Sequence, residues 1–333
     1  MRSMLFSIEL DRRLAYTMGS MNIKQKAPLV AVACALVLAA GKFSAGLASG
    51  SMALASSGLD SLLDVFMSAM NFFAIQRAAK PADDDHRYGH GKVEDLAALL
   101  QSSVIVFSGG IIIYTSVRGF IHNKPISYSA LDISVMIASL CFSFFISRYL
   151  KAAGDKTDSN ALRADALHYR SDLYSNSGAI VAIILTVYTG KTFYDLLFAV
   201  ITGCIIIYSA LQIAKKGLQG LTDSSIPHPL EKQIEDILGQ MAYPYVGYHK
   251  LRTRYSGSKK YVDFHLLTCR KLHVDEAHEL ADRVEKKIVQ ELVTVDIVVH
   301  LEPCVYTCEL TEATCAVLKT GARAQKNNPA FRA

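Results

Sequence analysis

The sequence lacks the motifs of the common hydrolytic and nucleotide-using enzymes. It contains no HExxH, no GxSxG, no Walker A motif and no kinase-type glycine-rich loop. These absences argue against the corresponding metalloprotease, esterase, NTPase and kinase activities. Without a nucleotide-binding motif, any uphill movement of a solute would have to be driven by an ion gradient.

Apolar residues are abundant instead. They make up 51% of the 333 residues, and the mean hydropathy is +0.24, which is too apolar for an ordinary soluble protein of this size. A helix needs roughly 20 apolar residues to cross a 30 Å hydrocarbon core. Six segments come close to this length: 28–48, 52–76, 95–120, 126–149, 167–190 and 193–214. The sequence therefore predicts a six-helix transmembrane bundle, residues 28–222, in a lipid bilayer.

Positive charges flank these segments almost entirely on one side. The residues are Arg12, Arg13, Lys24, Lys26, Arg77, Lys80, Arg87, Lys92, Arg148, Lys151, Lys156, Arg163, Lys215 and Lys216. The opposite loops carry little beyond Lys124 and Lys191. By the positive-inside rule, both termini are predicted to be cytoplasmic. These loops also explain the net charge of +5, so no nucleic-acid partner is expected.

The outer parts of the chain differ from the apolar region. Residues 1–27 lack a cleavable signal pattern and are expected to form a short cytoplasmic tail. After about residue 222, helical periodicity at 229–241 and 274–291 alternates with strand patterns at 249–254, 260–268 and 294–301. This αββαβ order predicts a small, metallochaperone-like α+β domain over residues 223–304. Residues 305–333 are polar without sustained periodicity and are expected to be a disordered tail.

Cysteines are few and give no sign of a disulfide framework. The chain has seven, three of them in predicted spans and four on the predicted cytoplasmic side. The cytoplasm is reducing, so these four are expected to be thiols.

Charged and ionisable residues inside two apolar segments are the strongest functional signal. Asp60 and Asp64 lie four residues apart in the second segment, and His168 and Asp172 lie four apart in the fifth. A charge at the bilayer centre costs from about 3 to more than about 10 kcal/mol, so such residues usually mark an ion path. At this spacing, each pair falls on one face of its helix. We call these four residues the membrane group.

The membrane group has the chemistry of a divalent-metal site. Three carboxylates and one imidazole suit tetrahedral Zn²⁺ and also accept Fe²⁺, Co²⁺ or Cd²⁺. In the alternative interpretation the four residues are interfacial, or Asp172 pairs with Arg170. Ser57, Asp165 and Ser171 are candidates for hydrogen-bond partners of the ligands, and packing or capping explains them equally well.

Two further clusters could hold metal ions. Asp83, His86 and His90, the loop group, lie between the second and third segments, where a turn followed by a helix start would bring them together. A solvated acidic loop that caps the third helix is the alternative. The second-domain group comprises His249, His265, His278, His300 and Glu302. In a strand His300 and Glu302 would share a face, although a single histidine there would more often be an ordinary surface residue.

Four sequence stretches together resemble a known family, the cation diffusion facilitators, and within it the bacterial YiiP-type zinc and ferrous-iron efflux proteins. The stretches are SGLDSLLD at 57–64, PADDDHRYGHGKVE at 81–94, ADALHYRSD at 164–172 and HLEPC at 300–304. The resemblance covers roughly residues 28–304. It implies a homodimer with six spans per protomer and a cytoplasmic metal-binding domain, working as a proton-coupled antiporter rather than an enzyme.

The resemblance also implies roles for the three groups. The membrane group resembles the family's transport site, the loop group its loop site, and the second-domain group its cytoplasmic binuclear site. Bacterial members often carry Asp where this chain has Glu302, which reaches one methylene further. Lys92 and Asp223 resemble a charge interlock between the third span and the end of the sixth.

The sequence therefore predicts export of a divalent transition metal, Zn²⁺ first, from the cytoplasm across the cell inner membrane in exchange for protons. Metal binding to the cytoplasmic domains is expected to regulate export. A transporter of the same fold for Mn²⁺, for import or for loading another compartment is a rival prediction. A membrane-anchored metal sensor that recruits a partner is another, although an anchor needs no buried carboxylates. An intramembrane metalloenzyme would require an open coordination position.

Overall fold

The computed structural model describes residues 22–49, 52–121, 130–190, 193–241, 245–292 and 294–304, with several side chains, including those of 45–49, 52–60 and 130–133, outside the description. Most of the predicted N-terminal tail and all of 305–333 also lie outside it. The chain divides into two compact units, with the boundary between Leu221 and Thr222. Each unit is described separately below.

The described residues of the first unit form six long helices, as predicted. They are α1 (Ile23–Ser49), α2 (Met52–Ala78), α3 (Lys92–Ile121), α4 (Ala130–Thr157), α5 (Asn160–Thr189) and α6 (Phe193–Leu221). At 1.5 Å per residue each is about 40 to 45 Å long, more than a bilayer core requires. By length and composition, three stretches within the described residues could span a membrane: Ile23–Ser44, Lys92–Ile121 and Leu196–Leu221. The membrane group lies on two of the other three helices, α2 and α5.

Several helices extend beyond their apolar segments, which corrects the predicted ends. The fifth segment was predicted to begin at 167, but α5 begins at Asn160, where Ser159 caps it by accepting a hydrogen bond from the Leu162 amide. The sixth was predicted to end at 214, but α6 continues to Leu221. Hydropathy detects only the apolar part of a helix, whereas polar turns continue the same hydrogen-bonded backbone at the membrane surface.

Helix α5 is the centre of this unit, because it contacts all five other helices. Small residues let the helices approach closely. Ala31 of α1 and Ala161 of α5 are fully buried in one apolar cluster. On the other side, α3 packs along α6 where Gly109 and Gly203 meet. The result is a tightly packed bundle in which α5 is held from several directions.

The second unit has the predicted αββαβ order. Its elements are α7 (His228–Gly239), β1 (Tyr245–Ser256), β2 (Lys259–Thr268), α8 (Val274–Glu291) and β3 (Val295–Pro303). Strand β2 is central, antiparallel to β1 and parallel to β3. Apolar residues of β2, including Phe264 and Leu266, pack in one core with Val284 and Ile288 of α8. The register places His249 opposite His265, and His265 beside His300.

Candidate metal centres

Three of the four residues of the membrane group meet between α2 and α5. The ligand atoms of Asp64, His168 and Asp172 all lie within 4.8 Å of one another. His168 Nε2 is 2.9 Å from Asp64 Oδ1, and both side chains are largely shielded from solvent. Asp60 lies in α2, but its side chain is outside the described part of the structure, so its membership stays a prediction. The three described side chains form an N- and O-donor set that fits a small divalent cation.

The membrane group opens onto a cavity of about 370 Å³. Hydroxyl side chains from several helices line it, among them Ser108, Ser139, Ser143 and Ser175. One water occupies about 30 Å³ in the liquid, so the cavity has room for a cation with several waters. The cavity lining is mostly apolar, but its hydroxyl and carboxylate groups give a partly hydrated ion polar contacts inside the bundle.

Lys42 of α1 lies in the same cavity, and the sequence-based prediction missed it. Its Nζ donates a hydrogen bond of 3.0 Å to Ser61 Oγ, and Ser61 is one helical turn before Asp64. The available signal was the one that identified the acids, namely a charged residue inside an apolar segment. Lys42 places a positive charge in the cavity that the carboxylates of Asp64 and Asp172 also line.

A buried polar network holds the helices that carry the ligands. Asp165, fully buried on α5, accepts hydrogen bonds of 3.2 Å from Ser68 of α2 and Gln101 of α3. Ser68 also shares a 3.0 Å hydrogen bond with the hydroxyl of Tyr169. These two hydrogen bonds of Asp165 therefore join α5 to α2 and α3, and neither is made to a residue of the membrane group. The Ser171 hydroxyl donates a hydrogen bond to the Leu167 carbonyl of its own helix. The side chain of Ser57 lies outside the described part of the structure.

The structure shows Arg170 in a different contact from the alternative pairing with Asp172. The Arg170 guanidinium instead donates a 2.8 Å hydrogen bond to the Tyr174 hydroxyl, one turn further along α5.

The loop group also converges. Asp83 Oδ1 accepts a 2.7 Å hydrogen bond from the His86 amide and lies 3.2 Å from His86 Nδ1, while Asp83 Oδ2 lies 3.3 Å from His90 Nε2. Gly89, at φ +79°, provides the left-handed turn between the two histidines. The hydrogen bond from the His86 amide lowers the pKa of Asp83, so this carboxylate stays ionised at neutral pH.

His90 gives an independent indication that a cation fits the loop. Its side chain is 3% exposed, and among the residues that the structure describes neither ring nitrogen makes a hydrogen bond, although Nε2 lies 3.3 Å from Asp83 Oδ2. Buried polar nitrogens without a partner are costly. A metal ion shared with Asp83 and His86 would supply the missing interaction.

In the second unit, Glu302 joins two histidines on neighbouring strands. Its Oε2 lies 2.7 Å from His249 Nε2, and its Oε1 lies 2.6 Å from His265 Nδ1. Burial raises the pKa of Glu302, but the hydrogen bonds with His265 and His249 outweigh this effect and leave the pKa lowered. The extra methylene of Glu302 therefore still allows its carboxylate to contact both imidazoles.

The other two histidines of the second-domain group are more exposed. His300 Nε2 lies 3.7 Å from Glu302 Oε1, at the edge of the cluster. His278 lies on α8, where its side chain is 72% exposed and its Nε2 is 3.8 Å from Asp282. Within one chain the ligand atoms of His249, His265 and Glu302 converge within 4.8 Å. The assignment of His278 stays a prediction.

The structure shows one contact for each residue of the predicted interlock. Lys92 Nζ donates a 3.3 Å hydrogen bond to the Leu221 carbonyl at the end of α6. Asp223 accepts a 2.9 Å hydrogen bond from Arg254 in the second unit. The interlock between Lys92 and Asp223 stays a prediction.

A helical membrane bundle with carboxylates and an imidazole converging inside it, followed by a small α+β domain, is typical of one class of protein, the metal-cation transporters. Comparison with known families is more specific. Residues 29–222 match the cation efflux transmembrane domain, and residues 226–304 match the cytoplasmic domain of cation efflux proteins, ZT_dimer. The chain belongs to the cation efflux family, whose members transport metal cations and are not enzymes.

Individual relatives agree with this family. The chain is 35% identical over 284 residues to the cation-efflux pump FieF of Salmonella newport (strain SL254) and to that of Salmonella typhimurium (strain LT2). Each match covers 85% of this chain and 94% of the relative. A solved structure of CzrB is 28% identical and covers 24% of this chain and 98% of its own, with a TM-score of 0.23, too low to bear on the fold. The cytoplasmic-domain match also supports formation of a dimer.

Proposed function

We propose that this protein is a homodimeric, proton-coupled antiporter that exports a divalent transition metal, Zn²⁺ first, from the cytoplasm across the cell inner membrane. Both termini face the cytoplasm in this proposal. The observation that carries it is the convergence of Asp64, His168 and Asp172 within 4.8 Å, inside a membrane bundle. An anchored sensor would have no need for ligands at this depth.

Charge balance supports proton coupling. With Asp60 included, the membrane group carries three carboxylates, and Lys42 supplies one positive charge beside them. Excess negative charge in a low-dielectric site must be compensated by a metal ion or by protons. Metal ligands bind in their deprotonated forms, so metal binding releases protons and metal departure allows them to return. An inward proton gradient would therefore drive the metal outward.

The donor set supports Zn²⁺ over Mn²⁺. One imidazole with carboxylates suits tetrahedral Zn²⁺ and accepts Fe²⁺, Co²⁺ and Cd²⁺, whereas Mn²⁺ favours all-oxygen sites. Replacing His168 with Asp should shift the preference from Zn²⁺ toward Mn²⁺ or Cd²⁺. Unchanged relative rates for the four ions would contradict this account of selectivity.

The loop group and the second-domain group are proposed to be regulatory. The convergence of Glu302 with His249 and His265 supports metal binding on a domain whose family match is linked to dimerisation. Metal that draws the two cytoplasmic domains together would change the equilibrium between states of the transmembrane units.

Transport in proteoliposomes tests the coupling. The purified protein is reconstituted with a zinc-sensitive dye and a pH-sensitive dye inside the vesicles, and Zn²⁺ is added outside with and without an imposed pH gradient. We expect Zn²⁺ uptake to be accompanied by proton efflux and to slow when an ionophore collapses the gradient. Uptake that ignores the gradient and moves no protons would refute proton coupling but leave metal transport intact.

A further inference from the structure

Two cysteines of the second unit lie at the ends of neighbouring strands. Cys269 comes directly after β2, and Cys304 comes directly after β3. The two residues are 7% and 5% exposed, and the structure holds both as thiols. Neither belongs to the membrane group, the loop group or the second-domain group.

The register of the sheet places these two cysteines side by side. Strands β2 and β3 are parallel, and the last pair in their register is Thr268 with Pro303, so the next pair along the strands is Cys269 with Cys304. The Cys304 amide donates a 2.8 Å hydrogen bond to the Thr268 carbonyl, which keeps the chains paired up to this position. Neighbouring strands lie about 4.8 Å apart, and a disulfide requires Cα atoms about 4.4 to 6.8 Å apart. The backbone spacing therefore suits a disulfide.

The alternation of side chains along the strands relates the two thiols to the second-domain group. Residues two or four apart in a strand share a face of the sheet. Cys269 is four residues after His265 on one chain segment, and Cys304 is two residues after Glu302 on the other. Continuing this alternation puts both thiols on the face that carries the second-domain group, just beyond Glu302.

We propose that Cys269 and Cys304 form a reversible disulfide that locks the end of β3 to the end of β2 when the protein meets hydrogen peroxide. Disulfides in the reducing cytosol are usually transient and often sense the redox state. The pairing follows from the register alone, so it does not depend on the proposed transport function.

The chemistry needs one molecule of hydrogen peroxide for each disulfide. The sulfur of one cysteine loses its proton and attacks a peroxide oxygen, which breaks the O–O bond and gives a sulfenic acid and one water. The sulfur of the other cysteine then attacks the sulfenic sulfur, forms the S–S bond and releases the second water. Each cysteine sulfur loses one electron, and the peroxide oxygens gain both.

Burial makes this reaction depend on local opening of the sheet. A buried thiol is unreactive while it stays covered. In the three-stranded sheet of the described residues, β3 is an edge strand, and Cys304 is at its end. The ends of such elements open locally at a low free-energy cost. Peroxide would therefore reach the thiols during brief openings, and the disulfide would then prevent the strands from opening again.

The disulfide would act on the metal group through Glu302. This residue contacts His249 of β1 and His265 of β2, and it is two residues before Cys304 on β3. Opening of the end of β3 would draw Glu302 away from both histidines. With the strand ends locked, less ordering remains to be done when metal binds, so we expect the oxidised group to bind Zn²⁺ about two- to tenfold more tightly.

Peptide mapping of the full-length protein tests the pairing. The reduced protein in detergent is desalted and treated with hydrogen peroxide, and its remaining thiols are alkylated before proteolysis and mass spectrometry. We expect peptides containing Cys269 and Cys304 to be joined and dithiothreitol to separate them. Cys269→Ala and Cys304→Ala should each abolish this link. Cys141→Ala, which removes an exposed cysteine of α4, should leave it intact.

Two results of the map would overturn the proposal. One is recovery of Cys269 and Cys304 as thiols or as sulfinic acids, and the other is a link from Cys269 to Cys308 or Cys315, which lie outside the described residues. Chymotrypsin cleavage after Tyr306 separates Cys304 from those two cysteines. The map of the wild-type protein decides the pairing by itself if a variant does not fold.

Zn²⁺ titration of the same samples tests the effect on the metal group. We expect peroxide to increase the Zn²⁺ affinity of the wild type but not that of Cys304→Ala or Glu302→Gln. An equal affinity before and after formation of the disulfide would refute the coupling to Glu302.

Discussion

His168 Nε2 lies 2.9 Å from Asp64 Oδ1, which joins α5 to α2 across 104 positions of sequence. Neither helix could form a metal site alone, because each described helix contributes at most two ligands to the group. A cation held there ties α2 to α5. Relative movement of the two helices would therefore change the number of ligands and hence the affinity for the ion.

Replacing Lys42 with Met should increase the affinity for metal and slow turnover. The Lys42 ammonium lies in the same cavity as the ligands and opposes a divalent cation. Without it, we expect KM for Zn²⁺ to fall about three- to tenfold, with a lower kcat because release becomes harder. Lys42→Arg keeps the charge and should preserve both constants. If the Met and Arg variants show the same kinetics, the charge of Lys42 has no such role.

Replacing His90 with Gln should remove metal from the loop group. His90 is buried, with ring nitrogens that lack hydrogen bonds within the described structure, so a side chain without an imidazole ligand should lower the bound metal by about one ion per chain. Equilibrium dialysis followed by elemental analysis measures this. Asp84→Asn is the control, since its exposed carboxylate pairs with Arg87 at 3.3 Å. Equal metal content in both variants would rule out the loop site.

Replacing Gly217 with Ala should destabilise the contact between α3 and α6. An added Cβ would lie 2.9 Å from the Asp95 carbonyl oxygen and 3.3 Å from the Leu99 amide, and backbone atoms cannot move aside independently. Overpacking of this kind typically costs about 1 to 3 kcal/mol. Gly110→Ala on α3 is the matched control, because its Cβ would meet no atom within 4 Å.

Thermal unfolding in detergent distinguishes the two glycine variants. We expect the melting temperature of Gly217→Ala to fall and that of Gly110→Ala to stay level or rise, since alanine favours helix more than glycine does. Similar melting temperatures would mean that α3 and α6 do not pack as closely as described.

Periodicity and hydropathy predicted the elements well, because both report on single segments. The αββαβ order of the second unit and the six helices followed from repeats of 3.6 and 2 residues and from apolar length. The positions of the helix ends were predicted less accurately. The start of α5 at Asn160 depends on the cap by Ser159, which is a local hydrogen bond that hydropathy does not register.

The sites were only partly predictable for a different physical reason. The four-residue spacing of charged residues inside apolar segments pointed to Asp64, His168 and Asp172, because residues four apart lie on one face of a helix. Lys42 joins them only through the packing of α1 against α2. His278 was grouped with the other histidines partly through the family resemblance, and its place in the cluster stays a prediction, since within one chain it is exposed on α8 beside Asp282. Contacts between elements depend on tertiary packing and register, which residue types do not encode individually.

The most direct test of the central claim is Zn²⁺ flux in proteoliposomes by wild type and by Asp172→Ala under the same pH gradient. Asp236→Ala, which removes an exposed carboxylate from the second unit, is the matched control, and Asp64→Ala repeats the test on α2. If the membrane group is the transport site, the Zn²⁺ flux of both site variants falls to the rate of protein-free vesicles, while Asp236→Ala transports Zn²⁺ like wild type. Wild-type flux through Asp172→Ala would contradict the assignment of these residues as the transport site.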